Sequence, residues 1–421
     1  MIVNRVKRVK GIIVMQNAFF VRPISFVLVA FMAFFSAGCA IVRHPVPFDM
    51  VGLVQVNNMA EIRFMKGTAD SELRKSALHS FLEENKGDYP ADPAGNRVYP
   101  MLSISGGSAN GAYGAGFLKG WSKEGSRPKF KAVTGVSTGA ITAPFVFLGK
   151  DYDGSMEELY TTMSTKDVMR IKNPFQAFFG NSFANNKPLE KQLKKYITAD
   201  MLEKIAAEHR RGRRLYVGTT YLDAQRFVVW DMGAIACRGD AELFRKVILA
   251  SAAIPMIFPP VYIKVESGGR TYDEMHVDGG TITQVFTLYK IFEGQEETAR
   301  KMGIDLSKMK GRYYIIRNGY LDSGYKIVND NLSSIAGQTF DTMINVQGVG
   351  DAYRIYALMQ KMGNEYNLAF IPGNYRPDKK QEFDPQQMRK LFDRGYLDAV
   401  KGYKWHKTPP GLEGSGEESA K

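Results

Sequence analysis

The sequence predicts an α/β protein built on a mainly parallel sheet. Apolar runs of strand length alternate with segments of helical spacing along most of the 421 residues, an order typical of parallel strands joined by helices. Glycine-rich turns follow the first two such strands, at 105–111 and 135–139. The composition, 44% hydrophobic and 24% charged, is that of a globular chain long enough for one large domain or two smaller ones.

The elements are predicted in chain order from residue 70. A helix is expected from Asp70 to Glu83, and the turn-rich stretch 90–96 separates it from the first strand at Val98–Ile104. A helix then runs to about Lys123, and the run 130–134 forms the strand that leads to Ser137. Further strands are expected at 215–220, 226–230 and 312–317. One further helix is expected to begin at Pro188 and the next is capped by Asp200, and others are expected at 243–253, 333–361 and 385–401.

The N-terminus has the layout of an export signal. Basic residues precede an apolar core at 24–35, which is too short for a comfortable membrane span, and the small residues 36–38 lead into Cys39. This order resembles the lipobox of bacterial lipoproteins, although Ser36 stands where that class usually has Leu. The resemblance implies that Cys39 is lipidated and becomes the mature N-terminus. A plain cleaved signal or an anchor helix remains an alternative, and Met15 is an alternative start.

The lipoprotein reading also sets the expected location and partners. Residue 40 is Ala rather than Asp, which by the same resemblance directs the protein to the outer membrane of a bacterial cell envelope. The formal charge is +13, with no basic stripe interleaved with aromatics, so nucleic acid is not an expected partner. A basic surface near anionic lipid head groups is one use of this charge, and a solvated basic surface with no specific partner is the alternative. Cys237 is the one other cysteine, so no disulfide framework is predicted.

Four segments follow from these patterns. Residues 1–38 are predicted to be a lipoprotein signal peptide and 39–96 an N-terminal extension and linker. Residues 97–405 are predicted to form the catalytic domain, and the Gly, Ser and Glu composition of the C-terminus predicts a disordered tail at 406–421.

The segment Gly135-Val136-Ser137-Thr138-Gly139 is the strongest candidate for a catalytic turn. It lies between an apolar strand and an apolar helix, and G-x-S-x-G in that context is typical of a nucleophilic serine held on a sharp turn. Its two glycines, Gly135 and Gly139, allow the tight turn and the close approach of the helix. The helix N-terminus would place Ser137 near free N–H groups that can stabilise an oxyanion.

The loop that begins at Ser105 supplies the candidate anion site. Its glycines leave backbone N–H groups uncovered at a helix N-terminus. The spacing fails for a dinucleotide fold, and Ala112 stands where a phosphate loop needs Lys. An oxyanion hole needs only donors near the nucleophile, and this loop precedes Ser137 by one strand–helix unit.

The residues alone leave two possibilities for the base that would activate Ser137. His276 and Asp278 point to the same side of a strand, so a Ser-His-Asp arrangement is one possibility. The chain order of a conventional hydrolase, with the histidine last, is not met. The other possibility is a Ser-Asp dyad, in which Asp278 takes the serine proton directly and Gly279-Gly280 gives it room.

Taken together, these motifs resemble the patatin-like phospholipase family over roughly Val98 to Gly402. The resemblance is carried by the 105–116 and 135–139 glycine motifs, Ala250–Pro255 with Phe258–Pro260, and 277–280. It implies a three-layer α/β/α fold and a catalytic dyad of Ser137 and Asp278. It also implies an oxyanion hole formed by the N–H groups of Gly106, Gly107, Ser108 and Ala109, supported by Gly135, Gly139, Gly279, Gly280, Asn110 and Gly111. The family usually has Gly in place of Ser108 and Arg or Lys in place of Asn110.

The function expected from this resemblance is hydrolysis of lipid acyl esters, of the phospholipase A or lysophospholipase kind, through an acyl-serine intermediate. An acyltransferase with the same dyad and a catalytically silent lipid-binding lipoprotein are the alternatives. The expected partner is a membrane lipid or acyl ester. No cofactor is expected, and the sequence has no cluster of metal-ligand spacing. The sequence does not predict an oligomeric state.

Overall fold

The computed structural model describes residues 43–57, 59, 62–65, 71–288, 292–322, 324–375 and 382–412. The described chain from Pro45 onward forms one compact unit with its own hydrophobic core. The signal peptide predicted at 1–38, the predicted lipidation site Cys39 and residues 413–421 of the predicted tail lie outside the described residues.

The described strands and helices are numbered here in chain order. The strands are β1 Arg63–Met65, β2 Arg97–Ile104, β3 Ala132–Val136, β4 Arg170–Ile171, β5 Ala184–Asn185, β6 Arg214–Tyr221, β7 Arg226–Asp231, β8 Val261–Ser267, β9 Arg270–Asp278, β10 Met309–Arg317 and β11 Glu365–Phe370. The helices are α1 Ser71–His79, α2 Gly111–Glu124, α3 Thr138–Leu148, α4 Asp153–Thr162, α5 Thr165–Val168, α6 Pro174–Phe178, α7 Lys187–Tyr196, α8 Ala199–Arg210, α9 Met232–Cys237, α10 Ala241–Ser251, α11 Glu296–Lys301, α12 Leu332–Met362 and α13 Pro385–Val400.

The central sheet is mostly parallel, as the sequence predicts. Its strand order is β1-β7-β6-β3-β2-β10-β11, and β9 pairs with both β6 and β8. The pairs β6–β3, β3–β2, β2–β10 and β10–β11 are parallel, whereas the strands beyond β6 are antiparallel. Because parallel strands joined by helices all end at the same edge, the loops after β2, β3 and β10 meet at the carboxyl edge of the sheet.

Helix α3 shows how the sequence sets the layers. Its residues from Thr138 to Phe147 are all buried, which fits an apolar composition without a polar face. The helix starts directly after β3, so it carries the chain from the sheet edge into the core. Its position therefore fixes Ser137, the residue between β3 and α3, at the carboxyl edge of the sheet.

The predicted extension at 39–96 is part of the main unit where it is described. Strand β1 pairs antiparallel with β7, and Val46, Val56 and Ile62 are buried in the core. In the described part of this extension, apolar side chains cover the edge of the sheet. No helix among the described residues is both long enough and apolar enough to span a bilayer.

The ordered chain also passes the boundary predicted at residue 405. The main chain of His406 exchanges hydrogen bonds with Leu368 of β11, at 2.8 and 3.1 Å, and its ring lies against Phe370. Residues 406–412 of the predicted tail 406–421 are described, and the first of them extends the pairing of β11. Strands β8 and β11 were not expected from the sequence.

Candidate active site

Ser137 lies on a strained turn between β3 and α3. Its backbone has φ 56° and ψ −123°, a conformation that costs a non-glycine residue about 1–3 kcal/mol and must be held by its surroundings. A Cβ at Gly139 would lie 2.3 Å from the carbonyl oxygen of Ile104, and a Cβ at Gly135 would lie 2.3 Å from that of Gly139. Both positions therefore require glycine for the turn to close.

Strand β6 brings Asp278 to the same place. Along β6, Gly218 pairs with Val136, the last residue of β3. The next residue, Thr219, pairs with Asp278, because β9 takes the position beside β6 that β3 has just left. Ser137 follows Val136 directly, so the serine and the aspartate meet where β3 ends and β9 begins.

The two side chains interact. The Asp278 carboxyl accepts the N–H of Gly280 at 2.7 Å, and the Ser137 hydroxyl lies beside it. Burial raises the pKa of Asp278 to about 7, although the Gly280 N–H and the Ser137 hydroxyl both act in the opposite direction. Desolvation therefore leaves a carboxyl that can take up and release a proton near neutral pH. Gly279 packs so closely that a Cβ there would lie 2.5 Å from the Gly218 oxygen.

The candidate oxyanion loop is fastened to the end of β10. Asn318 donates its backbone N–H to Ser105 Oγ at 2.8 Å and its side-chain amide to the Ser105 carbonyl at 3.0 Å. At Gly107, where φ is 155°, a Cβ would lie 2.0 Å from the Asn318 oxygen. The loop can therefore pass Asn318 only with glycine at this position. Asn318 was not predicted as a site residue, because nothing in the sequence links it to Ser105.

The N–H groups of this loop are not equivalent. Gly106 donates its N–H to the Gln284 carbonyl at 3.0 Å, so the donor role predicted for Gly106 is not available in this conformation. Among the described residues, the N–H groups of Gly107, Ser108 and Ala109 donate to no backbone acceptor. The Asn110 N–H donates to the Gly107 carbonyl at 3.0 Å. Helix α2 begins at the next residue, Gly111, where an added Cβ would lie 2.2 Å from the Thr138 hydroxyl oxygen.

A narrow apolar cavity opens beside the serine. Ser108 and Ser137 lie on its wall, and its volume is about 30 Å³. Its apolar lining includes Ile141, Met163, Val168, Leu189, Ile254, Phe258 and Met388. Ile254 and Phe258 come from the proline-rich segment that follows α10. The cavity in this conformation must widen before it can hold an acyl chain.

Asp351 and Gln284, which the sequence did not indicate, hold the turn after Asp278 in place. The carboxylate of Asp351, on α12, accepts the N–H of Gln284 at 2.6 Å and the hydroxyl of Thr283 at 2.9 Å. The Gln284 side chain in turn donates to the Gly280 carbonyl at 2.9 Å. Asp351 thus fixes the loop that carries both the Gly106 contact and the Gly280 contact.

His276 is placed away from Ser137. The ring is fully buried, with Nδ1 3.0 Å from Thr219 Oγ1 and Nε2 3.1 Å from Glu274 Oε2. Burial is the main cause of its lowered pKa. With both nitrogens engaged by Thr219 and Glu274, the described structure does not bring His276 together with the serine and Asp278 in a triad.

The fold is that of a mixed α/β protein with a mostly parallel central sheet, and the strained serine turn lies at the carboxyl edge of that sheet. Residues 102–288 match the family model described as patatin-like phospholipase. The crystal structure of VipD from Legionella pneumophila is a structural neighbour with 12% identity and a TM-score of 0.37, covering 74% of this chain and 69% of that chain. No curated protein matches the sequence. The family implies lipid acyl hydrolase activity.

Proposed function

We propose that this chain hydrolyses acyl ester bonds of membrane lipids, with Ser137 as nucleophile and Asp278 as its general base. The observation that carries the proposal is the placement of Ser137 beside the buried carboxyl of Asp278, at the point where β3 ends and β9 begins, together with the pKa of Asp278, which burial raises to about 7. A general base is most effective when its pKa lies near the working pH. No histidine is needed, since the aspartate itself is tuned to that range.

The reaction follows from these contacts. Asp278 takes the proton of Ser137 as the serine oxygen attacks the ester carbonyl carbon, and the carbonyl oxygen becomes an oxyanion. When the carbon–oxygen bond to the alcohol breaks, Asp278 returns the proton to the leaving alcohol, and the acyl group stays on Ser137. Water then gives a proton to Asp278 and attacks the acyl-serine, and the fatty acid leaves as Ser137 regains its proton.

The oxyanion would be held by the backbone of the loop after β2. The N–H groups of Gly107, Ser108 and Ala109 are the available donors, and Ser108 faces the same cavity as Ser137. Each such donor typically contributes about 2.7–4 kcal/mol to the transition state. The missing third glycine at Ser108 does not remove a donor, because the N–H belongs to the backbone.

Attachment to the cell envelope is the second part of the proposal. It is supported by the signal-like N-terminus that ends in Cys39, only a short segment before Pro45, where the compact unit begins. An acyl group on Cys39 would hold the domain at a membrane surface without a spanning helix. Incorporation of labelled fatty acid into the full chain, compared with Cys39→Ser, tests this. Equal labelling of both proteins would contradict it.

The activity itself is tested with the compact unit, residues 45–421. Short-chain nitrophenyl esters and mixed phospholipids are supplied to the wild type, Ser137→Ala and Asp278→Asn, with His276→Gln as a matched buried-residue control. We expect hydrolysis by the wild type and by His276→Gln, and none above background by the other two. Loss of activity in His276→Gln alone, with its fold intact by circular dichroism, would contradict the dyad. An added alcohol acceptor that diverts the product to a new ester would indicate acyl transfer.

A further inference from the structure

A small hairpin beside the active site exposes a group of large apolar side chains. Strands β4 and β5 pair antiparallel, and α6 lies between them. Phe175 is 73% exposed and Phe178 is 82% exposed, and Ile171, Phe179 and Phe183 are exposed as well. The rings of Phe175 and Phe178 both contact Phe179. We call residues 170–185 the aromatic hairpin.

The base of the aromatic hairpin is basic. A cleft of about 450 Å³ is lined by four exposed cations, Lys166, Arg170, Lys187 and Lys191. In the described part of the chain none of the four lies within ion-pair distance of a carboxylate. Asp167 also lines the cleft, and its carboxylate accepts hydrogen bonds from Ser164. The cleft therefore presents net positive charge next to the exposed rings.

The aromatic hairpin is joined directly to the wall of the active-site cavity. Phe183 donates its N–H to the Met256 carbonyl at 2.7 Å, and Ala184 donates to the Ile257 carbonyl at 2.8 Å. Ile254 and Phe258, which lie on either side of these two acceptor residues in sequence, line the cavity beside Ser137. Val168 and Leu189, which flank the aromatic hairpin in sequence, line the same cavity. Whatever the hairpin binds is held close to the candidate nucleophile.

We propose that the aromatic hairpin and its basic cleft form the surface by which this domain docks on an anionic lipid bilayer. Exposed aromatic side chains partition into the region between head groups and acyl chains, while Lys and Arg beside them are attracted to anionic head groups, at about 1 kcal/mol for each charge. The two features occur together here and match the two layers of such a surface. The biological meaning rests on the proposed function, since docking at this point brings acyl esters to Ser137.

A second basic cleft lies apart from the exposed rings of the aromatic hairpin. It is larger, about 830 Å³, and is lined by Lys150, Lys204 and Arg211 among others. Of the aromatic side chains that line it, Phe130 and Phe147 are buried and Tyr152 is half-buried. It lies at the amino edge of the sheet, since Phe130 comes just before β3. This cleft supplies a control in which the same charge change is made without neighbouring exposed rings.

The test measures binding rather than hydrolysis, so it stands even if the proposed function fails. Residues 45–421 carrying Ser137→Ala are sedimented with vesicles of phosphatidylcholine, or of phosphatidylcholine and phosphatidylglycerol in equal amounts. We expect binding to the anionic vesicles and weaker binding to the neutral ones. Phe175→Ser/Phe178→Ser and, separately, Lys187→Glu/Lys191→Glu should each weaken binding to the anionic vesicles by about tenfold or more.

Matched controls make the result specific to this surface. Leu82→Ser removes an exposed apolar side chain near the amino edge, where Lys131 donates to the Ser80 carbonyl, and Lys150→Glu/Lys204→Glu makes the same charge change in the larger cleft. Both should bind as the parent does. Equal loss in the controls, or no loss in the hairpin variants with an unchanged fold, would overturn the proposal. An absence of vesicle binding would also overturn the proposal. This includes the case in which analytical ultracentrifugation shows that the exposed rings mediate self-association instead.

Discussion

The backbone N–H of Ser137 donates a hydrogen bond of 2.9 Å to the side-chain oxygen of Ser251. The Ser251 hydroxyl donates in turn to the carbonyl of Gly218 on β6, at 2.6 Å. Ser251 is the last residue of α10 and is fully buried. The strained turn at Ser137 is therefore tied to the same strand that positions Asp278, and Ser251 acts as a positioning residue for the nucleophile.

Replacing Ser251 by Ala should lower kcat by about tenfold and leave KM nearly unchanged. The change leaves the Ser137 N–H and the Gly218 carbonyl without their partner, at about 1–3 kcal/mol for the buried groups. Steady-state kinetics normalised to titrated active sites measures the effect, and Ser251→Thr should restore part of it. Ser80→Ala removes another buried serine hydroxyl, which donates to the Ala77 carbonyl, and should cost stability without changing kcat. The same kcat for both Ala variants would refute the positioning role.

The activity should rise with pH through the neutral range. Asp278 can accept the Ser137 proton only when it is ionised, and burial raises its pKa to about 7. We therefore expect kcat/KM to increase up to about pH 7 and to level off above it. The pH profile with a nitrophenyl ester, corrected for the ionisation of nitrophenol, gives this value. If kcat/KM is already constant from about pH 5, which is about two units below the expected midpoint, then a group other than Asp278 limits the reaction.

Asp278 should also make the protein less stable as the pH rises. Its pKa moves from an ordinary 3.8 to about 7 on folding, so the folded state favours the protonated form. The resulting stabilisation is complete below about pH 3.8 and is lost as the pH rises through 7. Compared with Asp278→Asn, which stays neutral, the wild type should lose up to about 4 kcal/mol of unfolding free energy across that window. Urea unfolding at several pH values measures the difference, and parallel curves would contradict the assigned pKa.

The oxyanion loop should not tolerate a side chain at Gly107. A Cβ there would lie 2.0 Å from the Asn318 carbonyl oxygen, so Gly107→Ala must displace the loop. We expect kcat to fall by about a hundredfold or more, in line with the loss of an oxyanion donor. Gly154→Ala, in α4, meets nothing within 4 Å and should be neutral or slightly stabilising. Unchanged kcat in Gly107→Ala would rule out this loop as the oxyanion site.

The local parts of the site were predictable from the sequence. The turn at 135–139 depends on residues next to one another, and glycine at both ends signals the close approach of strand and helix that the structure contains. The mainly parallel sheet was predictable as well, because the alternation of strands and helices that indicates it is also a local pattern of the sequence. Asp278 as a site residue stays a prediction, although the structure places its carboxyl against the Ser137 hydroxyl.

The supporting contacts could not be read from the sequence because they join distant segments. Ser251 lies 114 positions from Ser137, and Asn318 lies 213 positions from Ser105. Their roles depend on which strands become neighbours, and in particular on β9 taking the place of β3 beside β6. The loss of Gly106 as a donor has the same origin, since its acceptor Gln284 is brought in by Asp351 on a later helix.

The most direct test of the account is covalent labelling of Ser137 by a fluorophosphonate, followed by peptide mass spectrometry. The reagent reacts with an activated serine, and in the proposed dyad Ser137 needs Asp278 to accept its proton. We predict a single labelled peptide containing Ser137 in the wild type and in His276→Gln, and labelling slowed by about a hundredfold or more in Asp278→Asn. Labelling of a different serine, or equal labelling rates in the wild type and Asp278→Asn, would contradict the Ser137–Asp278 dyad.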